Sequence, residues 1–249
     1  MTQSTRPASA DRDGRNVVSS VLVTGAASGI GAAVAERFAR RAGTAVVLAD
    51  RANASDLAGS LGAPHRAVMC DVTSVDDVNR AVASAMTLGP IEALVLCAGV
   101  AAVGPANEPD PAIWERALRI NALGTMLCIR AALPVLVGQG FGTIVAIVSV
   151  AGRLTYVGEP AYVASKHAVV GFCDSVRKEL VGTGVRMSLV EPGFVDTPLT
   201  ARHPQFAERM GNLVPLQPDD VARTVEFVVD QPPHCSLNEV LIRPTAQEL

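Results

Sequence analysis

The stretch T-G-A-A-S-G-I-G at 24–31 constrains this chain more than any other. It joins a continuous apolar run at 17–24, read as a buried strand, to an apolar pattern of helical period at 30–41. A chain that leaves a strand, turns on glycines and enters a helix brings the N–H groups of the helix start to the strand's carboxyl end, where a pyrophosphate can meet them. Glycine permits both the sharp turn and the close approach. The glycines at 25, 29 and 31 are spaced G-x-x-x-G-x-G rather than G-x-G-x-x-G, so the turn alone suits a cofactor site or an ordinary bend equally. No G-x-x-x-x-G-K-[ST] occurs, which disfavours a P-loop nucleotide hydrolase.

The alternation continues along the chain. Strand-like runs at 44–49, 66–70, 93–97, 143–148, 185–190 and 238–243 are separated by helical patterns, including 111–137, a stretch ending near 180, and 219–230. Seven strands interleaved with helices predict an α/β fold with a doubly wound parallel sheet. Composition agrees: 49% of residues are hydrophobic but only 4% aromatic, the profile of a sheet covered on both faces by small-residue helices. The 249 residues suit one domain spanning 17–249, with no repeat. Residues 1–16 are polar, lack the apolar core of a secretory signal, and are expected to be a disordered tail. The net charge of −3 gives no case for nucleic acid or an anionic membrane, and no apolar run reaches the roughly 18 residues of a membrane span. Cys70, Cys97, Cys128, Cys173 and Cys235 form no C-x-x-C. They read as reduced thiols of a cytoplasmic protein with no metal site.

Several strands end on residues with chemistry. Asp50 closes the second, nineteen residues beyond Gly31 and close to the roughly 20 expected of an acid that binds ribose hydroxyls. Its charge would repel a 2′-phosphate, favouring NAD over NADP, although Arg51 could turn toward one. Asp71, after the third strand, could accept from an adenine amino group or simply form a turn, with Thr73 or Ser74 capping the next helix. Ala98-Gly99 follows the fourth strand and leads to a loop at 100–111 that is expected to rim a pocket. Asn121, in the middle of a helical stretch, has poor helix propensity and either bridges within a cleft or is exposed. Pro192-Gly193 turns the chain at another strand's carboxyl end, and Thr197 either bonds a carboxamide or caps the following segment. Residues 199–216, with His203, Phe206, Met210 and Leu213, read as a movable flap.

The chemistry converges on 149–166. Ser149 ends a strand, Tyr162 follows thirteen residues later, and Lys166 lies one helical turn beyond. Residues at i and i+4 share a helix face, so a phenol and an ammonium meet. A nearby cation lowers a phenol's pKa from about 10 toward the range of general acid–base catalysis. Only Lys166 and Lys178 are lysines in a chain that otherwise uses arginine, and only Tyr156 and Tyr162 are tyrosines.

Taken together, T-G-A-A-S-G-I-G, Asp50, Asp71-Val72, Asn121, Ser149, Y-V-A-S-K at 162–166 and P-G-F-V-D-T at 192–197 resemble the short-chain dehydrogenase/reductase family in order and spacing. The resemblance implies a Rossmann-type fold and reversible hydride transfer between NAD(H) and a secondary alcohol or ketone. The implied catalytic residues are Asn121, Ser149, Tyr162 and Lys166. Tyr162 would exchange the proton, Ser149 would steady the substrate oxygen, Lys166 would lower the phenol pKa and bind the ribose, and Asn121 would hold a relay water. The implied cofactor wall is Gly25, Ser28, Gly29, Ile30, Gly31, Asp50 and Arg51; then Asp71, Val72, Cys97, Ala98 and Gly99; then Tyr162, Lys166, Pro192, Gly193, Val195 and Thr197. A homodimer or homotetramer, packed through 111–137 and 160–181, is implied as well.

Two features depart from the family pattern. Leu96-Cys97-Ala98-Gly99 replaces N-N-A-G, and the C-terminus N-E-V-L-I-R-P-T-A-Q-E-L lacks a glycine-rich ending. Val100, Ala101, Leu154, Tyr156, Glu159, Phe194 and the flap are the expected substrate contacts, suggesting a mainly apolar, uncharged substrate. Competing readings are an NADP-dependent biosynthetic ketoreductase, a non-catalytic dinucleotide-binding regulator and, on the same sheet type, a methyltransferase.

Overall fold

The computed structural model describes residues 19–108, 110–202, 206, 208, 211 and 213–248. The expectations for the tail, for 17–18 of the first strand, and for His203 and Met210 lie outside these residues. The elements run β1 (Ser19–Thr24), α1 (Gly29–Ala39), β2 (Thr44–Asp50), α2 (Ser55–Leu61), β3 (Arg66–Met69), α3 (Val75–Met86), β4 (Ile91–Leu96), α4 (Pro111–Ala117), α5 (Thr125–Gln139), β5 (Gly142–Ile147), α6 (Pro160–Glu179), β6 (Val185–Pro192), α7 (Pro198–Ala201), α8 (Pro218–Val229) and β7 (Glu239–Ile242).

All seven strands are parallel, in the order β3-β2-β1-β4-β5-β6-β7. The chain leaves β1 toward β2 on one side and later returns to β4 on the other. The loops after β1 and β4 therefore diverge and open a crevice at the carboxyl ends. Alternate residues feed opposite faces: Leu22, Leu94 and Leu96 pack with α3, α5 and α6, while Val21, Val23 and Val95 pack with α1 and α8. Both layers are fully buried, which explains why the strands read as unbroken apolar runs.

Charged pairs fasten the second layer. Arg37 bonds Glu226 (2.6 Å) and Asp219 (2.9 Å), and Arg41 bonds Asp230 (2.8 Å), joining α1 to the two ends of α8. Arg186 on β6 spends its guanidinium on the carbonyls of Val229, Gln231 and Cys235 and on the Thr143 hydroxyl. It thereby satisfies carbonyls that the end of α8 leaves without helical partners.

Two elements differ from the sequence reading. The seven residues of α2 have no counterpart in it; the segment is short and contains Gly59, and its start is fixed by Asn53 Oδ1 accepting from Ser55 N (2.9 Å). The expected helix at 111–137 is interrupted by a π-turn at Leu118–Gly124. By length and composition the helical stretch Pro111–Gln139 could cross a bilayer, contrary to the search for apolar runs. Here Cys128, Ile129, Ala132 and Leu136 of α5 are buried on the sheet, while Ile113, Leu118, Leu123 and Val137 are exposed.

Candidate active site

The crevice is lined by the glycine turn, by the ends of β2 and β4, and by Thr197–Leu199 and Arg202, and encloses about 340 Å³. Gly25 has φ +67°, and a Cβ there would stand 2.7 Å from the backbone of Ala98. A Cβ on Gly31 would stand 2.1 Å from the carbonyl oxygen of Gly25. No L side chain fits at either point, so the turn lies flat between β4 and the start of α1, leaving the helix N-terminus open to the crevice. Of the expected cofactor residues, Gly25, Ser28, Gly29, Ile30, Gly31, Asp50, Arg51, Asp71, Val72, Cys97, Ala98, Gly99 and Thr197 line it.

Tyr162, Lys166, Pro192, Gly193 and Val195 do not. Pro192 is the last residue of β6, paired with Ile242, Val195 is buried and bridges Leu216, and Gly193 faces a different cavity. Sequence reading missed Ala52, Cys70, Arg116 and Ile120, which line the crevice without a motif of their own, and assigned Val100, Leu199 and Arg202 to the substrate side rather than to this crevice.

The acids at the strand ends have local partners. Asp50 Oδ2 accepts from Ala27 N (2.9 Å) and Oδ1 from Ala52 N (2.8 Å), so the carboxylate braces the glycine turn. Asp71 accepts from the Thr73 hydroxyl (2.7 Å) and N–H (2.8 Å), which hold its carboxyl below the usual range, and Ser74 caps α3. Thr197 resolves to a cap as well: it and Thr200 bond reciprocally at the start of α7.

The four expected catalytic residues gather beside the crevice. The π-turn gives Asn121 its inward direction, a role such wide turns often serve. Asn121 is 1% exposed; its amide donates to Val100 O and Ser165 Oγ (both 2.9 Å) and accepts from Val100 N (2.8 Å). The side chain is thus committed to bracing the loop after β4 and the helix α6. Lys166 Nζ, itself buried, donates to Ile147 O (3.2 Å) and lies 5.7 Å from the Tyr162 ring centroid. Ser149 caps the short 3₁₀ turn Val150–Gly152 through Ala151 N (3.1 Å) and hydrogen-bonds the Tyr162 phenol.

The electrostatics depart from expectation. Burial pushes the Tyr162 phenol up to about 12; the Ser149 bond pulls it back in part and the charge of Glu159 adds to the rise. Burial lowers the Lys166 ammonium to about 8, with Cys97 opposing. The expected lowering of the phenol by the lysine is not seen: Ser149 alone opposes the rise, and desolvation disfavours the charged form of both groups. Cys97, standing where the family pattern has asparagine, is likewise pushed up by burial, to about 12.

A second cavity, of about 400 Å³, opens on the far side of Ser149 and Tyr162. Tyr156, Glu159, Phe194, Thr200, Phe206 and Leu213 line it, as does the C-terminal segment Ala246–Glu248. The expected contacts Val100, Ala101 and Leu154 do not: Val100 lines the crevice instead. The tail is held down by Gln247, whose Oε1 accepts from Phe194 N (2.9 Å) and whose carbonyl accepts from Arg243. Among the described residues no cluster of three metal-ligating side chains occurs.

A parallel sheet with a glycine turn at its switch point, beside a half-buried tyrosine and a buried lysine, defines a dinucleotide-dependent oxidoreductase. The profile of the short chain dehydrogenase family matches residues 19–207, and the chain belongs to the short-chain dehydrogenase/reductase family. An uncharacterized oxidoreductase of Staphylococcus saprophyticus is 35% identical over 90% of this chain and 96% of its own length. A glycine betaine reductase of Emericella nidulans is 36% identical over 90% of this chain but only 18% of that protein. Among solved structures, the closed form of a serine dehydrogenase complexed with NADP+ superposes with a TM-score of 0.87 at 30% identity, covering 92% of this chain and 96% of that one. The serine dehydrogenase of Escherichia coli gives 0.81 at 31% identity, covering 92% and 100%.

Proposed function

We propose that the protein interconverts a secondary alcohol and a ketone with NAD(H), using Tyr162 as general acid and base. The observation that carries this reading is the position of the phenol: half-buried, hydrogen-bonded to Ser149, lining a cavity and with the Lys166 ammonium near its ring. A bound nicotinamide dinucleotide supplies the hydride acceptor in oxidation and the donor in reduction. Gly25, Gly29 and Gly31 hold its pyrophosphate side, Asp50 and Arg51 its adenosine ribose, and Cys97, Ala98, Gly99 and Thr197 border the reacting end.

In the oxidising direction Tyr162 takes the carbinol proton as the carbinol carbon gives up its hydride; reduction returns both. Ser149 donates to the substrate oxygen and keeps it within reach of the phenol. Lys166 places a positive charge on the same helix face and binds ribose hydroxyls. Asn121 positions the Gly99–Val100 loop and the start of α6 around Lys166. The free thiols support a cytoplasmic setting, and the exposed apolar residues of α4, the π-turn and α5 support a homo-oligomer.

NADP is the second reading, favoured by Arg51, Arg116 and Arg202 around the crevice and by the engagement of Asp50 with two backbone N–H groups. Calorimetric titration with NAD and NADP separates the two. Turnover is tested with a panel of secondary alcohols and ketones followed at the absorbance of the reduced cofactor. Tyr162→Phe is expected to lose roughly 10²–10⁴-fold in kcat, the usual contribution of positioned proton transfer. Full turnover in that variant sinks the assignment.

A further inference from the structure

We infer that Gln247 of the C-terminal segment is a specificity-determining residue: its amide NH2 donates to a second carbonyl or carboxyl oxygen of the substrate, apart from the oxygen that Tyr162 serves. The inference rests on the oxidoreductase reading of the same site and names a feature of its substrate class. Gln247 lines the cavity and is 7% exposed. Its Oε1 accepts from Phe194 N (2.9 Å). Of the two ends of a carboxamide only the oxygen accepts, so this bond fixes which way round the group sits. The nitrogen is the end left over, and no described residue accepts from it. A buried donor of this kind lacks only an acceptor, and the space it borders is the substrate cavity.

The position of the amide is built rather than incidental. Gly193 N donates to Ile242 O (2.7 Å), Arg243 donates to the carbonyl of Gln247, and Gln247 N closes a turn onto Pro244 O (3.0 Å). Gly193 makes room for the side chain, since a Cβ there would stand 2.2 Å from Oε1. Other hydroxyls of the cavity are already assigned. Ser149 and the Tyr162 phenol bond each other at the reacting end, and Thr200 donates to the carbonyls of Val195 (2.8 Å) and Thr197 (2.9 Å). A second substrate oxygen therefore meets a fixed donor in Gln247. A hydrocarbon of the same shape would strip water from that NH2 and return no bond. Two anchored oxygens also settle which end of the substrate lies toward Tyr162.

The test uses three pairs of equal chain length: methyl 3-oxobutanoate with 2-hexanone, methyl 4-oxopentanoate with 2-heptanone, and methyl 5-oxohexanoate with 2-octanone. Each pair sets the second oxygen at a different distance from the ketone. Reduction is followed with the reduced cofactor, and binding is followed separately by ligand-observed NMR titration of the protein saturated with oxidised dinucleotide. At least one ester should exceed its alkanone by about two- to tenfold in kcat/KM and in affinity, the scale of one hydrogen bond. Gln247→Glu at pH 8 keeps an oxygen for Phe194 N but loses the donor, and Gln247→Met loses both. Both variants should abolish that ratio. A residue that merely anchors the tail would keep the ratio in Gln247→Glu. A ratio kept by either variant, alkanones that match or exceed their esters in all three pairs, or no binding of any ester overturns the inference, and reduction of the alkanones then leaves the oxidoreductase reading standing. Ester binding that depends on Gln247, with no ketone reduced, supports the inference while refuting carbonyl reduction.

Discussion

Replacing Arg153 by methionine isolates the energetics of one buried carboxylate. Arg153 directly follows the 3₁₀ turn that Ser149 opens. Its Nε donates to Glu191 on β6 (2.8 Å) and its Nη2 approaches Glu239 on β7 to 2.8 Å. The Glu191 side chain is 3% exposed and that of Glu239 43%, so only the first depends on the arginine for its solvation. Burial raises the Glu191 carboxyl above its ordinary value, and the Arg153 bond holds back part of that rise. Removing one partner of a buried pair costs about 3–5 kcal/mol, because the other charge stays behind uncompensated. At about 2–4 °C per kcal/mol for a chain of this size, Tm should fall by about 6–20 °C. Glu191 in the folded state holds its proton to higher pH than in the unfolded chain. The penalty is therefore full at neutral pH and relieved as pH falls through the raised value. Thermal unfolding by circular dichroism, without cofactor and at fixed protein concentration, should show a deficit at pH 8 that shrinks toward pH 5. Adding Glu191→Gln should recover most of it. A deficit equal at both pH values, or no recovery with glutamine, refutes the reasoning.

Three further outcomes follow from the site. With the Tyr162 phenol raised, alcohol oxidation, which needs the phenolate, should accelerate continuously as pH climbs from 6 to about 10, whereas reduction should be nearly flat below pH 8; an oxidation rate independent of pH contradicts this. Lys166→Met should abolish turnover yet raise Tm at pH 7 by a few degrees, since a buried ammonium held at about 8 weakens the fold until it loses its proton. Wild-type stability rises between pH 8 and about 10.5 on this account, so the gain should fade there; a variant less stable than wild type at pH 7 counts against it. Gly31→Ala puts a Cβ 2.1 Å from Gly25 O, a backbone atom that no rotamer change can clear, so dinucleotide affinity should drop at least about tenfold with about 1–3 kcal/mol of stability. Unchanged affinity by titration would mean that the turn does not hold the cofactor.

What could be read from the sequence was whatever is local or periodic. Apolar runs gave all seven strands to within about two residues, because both faces of the sheet are buried and nothing polar interrupts them. The tyrosine–lysine spacing was visible because one helical turn fixes it. The oddity of Asn121 within a helix was visible too, but its cause, a widened turn bonded to Val100 and Ser165, depends on contacts 21 and 44 residues away. Arg153 reaches across 38 residues to Glu191, and Gln247 across 53 to Phe194; neither carries a sequence signal. The wall that Ala246–Glu248 gives the substrate cavity was missed for that reason. The proton affinity of Tyr162 was misjudged in sign, since spacing reveals the neighbouring ammonium but not how thoroughly water is removed from both.

The wide turn at Leu118–Gly124 holds one more residue per revolution than the α-helices on either side. It therefore acts as a phase shifter, letting α4 and α5 follow one axis while their buried stripes are rotated against each other by about 100°, the angle one α-helical residue occupies. Excising a single residue there would return the segment to regular winding and carry Trp114, which like Tyr162 and Val100 packs against Ala102, Ala117 and Ala161, around the barrel of the helix. One deletion would thus unseat the active-site brace with every reactive group left in the chain.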